Sequence, residues 1–172
     1  MSSSAPGRLL LLRHAHSSWA LPGQRDHERP LDDRGRREAL SIGSIFRDTG
    51  LEIDGIVTSS AVRAQETLAA FKDALGLDAP TMISDDLYAL GPEAYLAAAR
   101  RSGARSLLLV GHNPMAEDVV SALAPDGDAK ALAVLKAGFP TAGLAVIEFD
   151  GPLAGIGPAS GRLAAFHVPG PG

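Results

Sequence analysis

Leu9-Leu10-Leu11-Leu12 is an uninterrupted apolar run that ends abruptly in Arg13-His14-Ala15-His16. A short continuous run of this kind reads as a strand buried on both faces. Strands of that sort end where open α/β sheets place their ligands. Much later in the chain, Ser106-Leu107-Leu108-Leu109-Val110 repeats the design and ends in Gly111-His112-Asn113-Pro114. Either stretch alone could be a core strand followed by a solvent-facing polar turn. Together they constrain the chain far more, because two buried strands each deliver a histidine to a strand end.

The segments between them supply the rest of an α/β unit. Asp32 and Asp33 are candidate N-caps for a helix over 34–48, in which Ala39, Ile42 and Phe46 recur at helical spacing and which Gly50 stops. Residues 55–59 read as a strand. Ser59 or Ser60 would cap a helix over 61–75, with Arg63 in its first turn and off its apolar stripe. A short strand over 81–84 and a helix over 92–102, opened by Pro92, follow. Asn113 as N-cap and Pro114 as first residue would start a helix running to Ala124. Residues 129–135 are partly helical. The stretches 144–149 and 162–168 are strand-like, joined across a Gly/Pro-rich segment as an antiparallel edge hairpin. Strands alternating with helices predict an α/β fold: a three-layer αβα sandwich whose central sheet is mostly parallel. One domain over 8–168 is expected, with flexible tails at 1–7 and 169–172.

Composition removes several classes of function. The chain has 172 residues and a net charge of −4, so it lacks the broad basic field of a nucleic-acid binder. It has no cysteine, which excludes disulfides, thiolate catalysis and Cys-ligated zinc. Residues 1–7 carry neither a positive n-region nor an apolar h-region, and 9–12 is far too short to span a bilayer. A cytoplasmic protein without membrane contact is expected, monomeric because no exposed apolar stripe stands out. His14 and His16 lack a third ligand at a telling spacing, and no Gly-x-x-x-x-Gly-Lys loop exists, so neither a metal nor a nucleotide cofactor is expected.

In a parallel sheet, the ends of three strands share one edge. They would bring together Arg13 and His14, Arg63 beyond Ser59-Ser60, and His112. Two arginines, two histidines and two helix N-termini suit a tetrahedral dianion. The blocks that carry these residues resemble the three signatures of the histidine phosphatase (phosphoglycerate mutase-like) superfamily. They are Arg13-His14-Ala15, Thr58-Ser59-Ser60-Ala61-Val62-Arg63-Ala64-Gln65-Glu66-Thr67 and Gly111-His112-Asn113-Pro114, in the same order and spacing. Asp26-His27-Glu28-Arg29-Pro30-Leu31 and Phe139-Pro140-Thr141-Ala142-Gly143-Leu144 are similar to segments of the small SixA-type phosphohistidine phosphatases within it. The likeness spans about residues 8–149.

That resemblance implies roles. His14 would attack phosphorus and carry the phosphoryl group, Arg13 and Arg63 would bind its oxygens, and a protonated His112 would stabilise the transition state, all without metal. Asp26, Arg29 and His16 would be substrate-contacting residues, although Asp26 and Arg29 could equally be a plain surface ion pair. The expected partner is a phosphorylated substrate, in the SixA branch a phosphohistidine-bearing protein. A small phosphorylated metabolite, or phosphate recognition without catalysis, is the alternative. Two departures stand out: Ala89 and Asn113 occupy positions where other branches keep a carboxyl acid. That favours a leaving group needing little protonation, with Asp26, Glu28 and His16 as candidate acids. His27 and His167 read as surface or edge-strand histidines, and Trp19 as a loop anchor.

Overall fold

The structure, a computed structural model, describes residues 5–19 and 21–171. Its centre is β1 (Arg8–Arg13), whose four leucines are fully buried. Side chains alternate across a strand, so Leu10 and Leu12 enter one core and Leu9 and Leu11 the other. The first core packs against Ala39, Ile42 and Phe46 of α1 (Asp33–Arg47) and Ala64, Leu68 and Phe71 of α2 (Val62–Leu75). The second packs against Leu87 of α3 (Asp85–Ala89), Tyr95 and Ala99 of α4 (Pro92–Arg101), Val119 and Val120 of α5 (Met115–Leu123), and Ala131 of α6 (Ala129–Ala137).

The remaining strands are β2 (Gly55–Ser59), β3 (Thr81–Ser84), β4 (Ser106–Gly111), β5 (Leu144–Phe149) and β6 (Gly161–His167). They form one sheet in the order β3-β2-β4-β1-β5-β6. β1, β4, β2 and β3 pair in parallel, whereas β5 lies antiparallel to β1 and β6 antiparallel to β5. This is the expected three-layer α/β sandwich with its antiparallel edge hairpin. Register fixes the site: Arg13 lies opposite Gly111, and Thr58 opposite Val110, so the three parallel strands stop at nearly the same level.

Several local expectations shift. Asp32 does cap α1, accepting from Gly35 N at 2.8 Å. Neither Ser59 nor Ser60 caps α2: Ala61 is its N-cap residue, and Ser59 Oγ takes the Ala61 N–H instead. α5 starts one residue later than expected, behind Pro114, while Asn113 Oδ1 still accepts from Glu117 N at 3.1 Å. The five-residue α3 is too short for helical periodicity to register; Ser84 caps it. Of the expected tails, Gly7 exchanges backbone bonds with Gly151 and Phe149, and Gly170 donates to Ser41 Oγ. Residues 1–4 and 172 lie outside the described residues. Among the described residues, no helix is long and apolar enough to cross a membrane.

Candidate active site

A cavity of about 710 Å³ opens where these strands end, and all seven residues singled out in the sequence line it: Arg13, His14, His16, Asp26, Arg29, Arg63 and His112. Ala89 and Asn113, the two positions without a carboxyl acid, line it as well. Glu28 is exposed and is not part of the lining, so it drops out as a candidate acid.

His14 follows β1 directly and is held at every point of its backbone. Its N–H donates to Gly111 O at 2.9 Å, its carbonyl accepts from Ala142 N, and the next N–H, that of Ala15, donates to Thr67 Oγ1 at 2.9 Å. The ring is fixed too, with Nδ1 2.7 Å from Ala15 O. A carbonyl only accepts, so Nδ1 carries the proton and Nε2 keeps a lone pair. Burial, reinforced by His112, Arg63 and Arg13, pushes the pKa down to about 3 against the pull of the Ala15 bond. At neutral pH the ring is therefore uncharged.

The two arginines are the local positive charge. Arg13 donates to Phe139 O at 2.7 Å. Burial works against its charge, and Glu38 and Glu117 counter that loss. Arg63 is 6 % exposed, because the first turn of α2 faces the sheet edge rather than solvent. It donates to the Asp26 carbonyl at 2.8 Å and to Asp26 Oδ2 at 3.2 Å. The Nε of each arginine is buried without a protein hydrogen-bond partner. No side chain caps α2, so its start at the site also favours an anion, whereas Asn113 Oδ1 already takes the Glu117 N–H at the start of α5.

His112 lies with its ring 5.2 Å from that of His14, centre to centre. Tyr95 fixes its backbone: the His112 N–H donates to the Tyr95 hydroxyl at 2.9 Å, and that hydroxyl donates to Leu87 O. Gly111 makes room for this, since a Cβ there would sit 2.2 Å from the Tyr95 oxygen. His112 Nε2 is 2.7 Å from Ser59 Oγ. The expected protonation of His112 belongs to the site with a dianion bound; the free protein starts from a neutral ring. Burial, with Arg63 adding to it, pushes its pKa to about 4. It is neutral, and when Ser59 donates to Nε2, Nδ1 is left as an N–H donor.

Asp26 is neither a plain surface ion pair nor an acid. Its Oδ1 takes Arg29 Nε at 3.1 Å, while Oδ2 takes Arg63 and, at 2.9 Å, the Tyr88 hydroxyl. Desolvation would raise its pKa, but Tyr88, Arg63 and Arg29 outweigh it and hold the group below the usual carboxylate range. Tyr88 was not found from sequence; no local signal marks it, because its partner is 62 residues away. His27 is not a free surface histidine: its Nε2 meets Ser60 Oγ at 2.9 Å, and its ring stands edge-on to Tyr88. Trp19 anchors nothing; it is 92 % exposed at the cavity mouth, 5.9 Å from the Arg29 guanidinium carbon.

Residues 9–88 match the model of the histidine phosphatase superfamily, branch 1. An uncharacterized protein of Mycobacterium tuberculosis is 36 % identical over 162 residues, covering 92 % of this chain and 99 % of its own. The phosphohistidine phosphatase SixA of Escherichia coli is 28 % identical over 122 residues, 69 % of this chain and 74 % of that one. A solved SixA-type structure from Agrobacterium tumefaciens superimposes with a TM-score of 0.81 at 35 % identity, covering 96 % of this chain and 100 % of its own. Sequence likeness, sheet order and the basic, histidine-bearing cavity agree, and the chain belongs to the histidine phosphatase superfamily as one of its phosphatases.

Proposed function

We propose that this protein removes phosphoryl groups through a phosphohistidine on His14, and that its substrate is phosphohistidine on a partner protein. The observation that carries the first half is the locked His14 ring. Its Nδ1 proton is committed to Ala15 O, so the nucleophilic Nε2 belongs to the cavity that Arg13 and Arg63 also line. The arginines neutralise the phosphoryl oxygens, and His112 donates to charge that grows in the transition state. This donor set is cationic and would repel a metal ion, so the reading includes metal independence.

The second half rests on what the cavity lacks. Ala89 and Asn113 cannot protonate a leaving group, Asp26 is pinned as a carboxylate by three donors, and the one N–H of a neutral His16 ring is committed to Asp32. An alkoxide leaves poorly without an acid, whereas the imidazole of a phosphohistidine is readily protonated at nitrogen. The likeness to SixA-type proteins points the same way. The test compares two peptides of one sequence, carrying phosphohistidine or phosphoserine, with EDTA present. General acid catalysis is worth about 10²–10⁴-fold, so kcat/KM is expected to favour phosphohistidine by about 100-fold or more. Equal rates would overturn the substrate assignment, and loss of all activity in EDTA would overturn the metal-free mechanism.

A further inference from the structure

Hydrolysis of phospho-His14 requires something to accept a proton from the attacking water. Once phosphorylated, His14 itself cannot. His112 Nε2 is engaged by Ser59, and both carboxylate oxygens of Asp26 are taken by Arg29, Arg63 and Tyr88. Among the described cavity-lining residues, one basic nitrogen remains uncommitted, on His16.

His16 is held at both backbone and ring. Its N–H donates to Glu38 Oε1 at 2.8 Å, and its carbonyl accepts from Asp32 N. Gly35 presses against that carbonyl, where a Cβ would come within 2.0 Å of the oxygen. The ring Nδ1 lies 2.6 Å from Asp32 Oδ2. Asp32 is itself fixed, by Gly35 N on Oδ1 and by the Ser18 hydroxyl on Oδ2 at 2.9 Å. Desolvation would raise the Asp32 pKa, yet the bonds from Gly35, His16 and Ser18 hold it below the usual range. An ionised carboxylate only accepts, so Nδ1 of His16 carries a proton, and in the neutral ring the lone pair is on Nε2. Nε2 makes no hydrogen bond within the described residues. A carboxylate that fixes a histidine tautomer so that its far nitrogen can take a proton is the logic of the hydrolase triad.

We infer that His16 is the general base of the dephosphorylation step, with Asp32 as its positioning residue; this rests on the phospho-His14 reading. Water oxygen bonds to phosphorus as the P–Nε2 bond of phospho-His14 breaks. The bonding pair returns to His14 Nε2, and the water proton passes to His16 Nε2. The products are inorganic phosphate and a His16 imidazolium paired with Asp32, which then releases its proton to solvent. Asp26, Arg29, Arg13 and Arg63 share the cavity, and Glu38 holds the His16 backbone.

The test is rapid-quench kinetics on labelled phosphohistidine peptide with wild type, His16→Gln and Asp32→Asn. Asparagine caps a helix as well as aspartate does, so the second variant keeps the α1 cap on its one oxygen and sets an amide NH2, which cannot accept from Nδ1, against the His16 ring. Hydrolysis of phospho-His14 is expected to slow about 100-fold in His16→Gln. Acid-labile phosphoenzyme should then accumulate towards one equivalent, and its formation rate should fall far less. Asp32→Asn should show the same pattern more weakly, and imidazole should restore hydrolysis in His16→Ala. Variants that lose both half-reactions equally, or that accumulate no phosphoenzyme while wild type is labelled on His14, would overturn the inference. Absence of His14 label in every protein, wild type included, would instead overturn the phosphohistidine mechanism beneath it.

Discussion

His14→Asn is expected to lower turnover by about 10⁴-fold or more, the scale seen when a covalent nucleophile is removed. Asparagine is close in size and can still donate to Ala15 O, so the surrounding backbone bonds to Gly111, Ala142 and Thr67 should persist. Brief exposure to a labelled phosphoryl donor should leave an acid-labile, base-stable label on wild type and none on the variant. Arg13 and Arg63 remain in His14→Asn, so it should still bind inorganic phosphate or product. This separates a lost nucleophile from a lost site. An acid-stable label on a serine, or near-wild-type turnover by the variant, would sink the assignment.

Much of this site is legible in the sequence because strand ends are. Leu9–Leu12 and Leu107–Val110 announce buried strands by their apolar runs alone, and parallel topology places Arg13 level with Gly111. Arg63 is legible for a related reason, since the first turn of a crossover helix starts at the same edge. The charge state of His112 is not legible. It depends on burial and on Arg63, and both arise only once α2 and β4 are packed. Asp26, Tyr88 and Arg63 meet across loops with no regular period, so nothing local ties them together. Asp32 shows both sides at once. Its capping of α1 follows from its place before a helix. Its grip on His16 follows only because α1 is packed against β1, with Gly35 drawn onto the His16 carbonyl.

Two buried neutral histidines also leave a thermodynamic mark. In the unfolded chain each has an ordinary pKa of about 6.5; in the folded protein His14 is at about 3 and His112 at about 4. Folded values below unfolded ones mean that stability is full above pH 6.5 and declines as pH falls towards the folded values. At pH 5 the unfolded state has gained both protons and the folded state neither. Each pKa step of one is worth about 1.4 kcal/mol, so each histidine costs about 2 kcal/mol there and the pair about 4 kcal/mol. Because both rings are still neutral in the folded protein at pH 5, their mutual repulsion does not enter the sum. The lowered carboxyl of Asp26 acts in the same direction, but only below its ordinary range near pH 4. Urea unfolding in phosphate-free buffer should therefore give about 4 kcal/mol less stability at pH 5 than at pH 7.5. In the double variant His14→Asn/His112→Asn most of that difference should vanish. A wild-type loss below about 1 kcal/mol would show that the folded protein holds these histidines charged at pH 5. Both rings would then titrate near their ordinary value, and burial would not be what keeps His14 neutral.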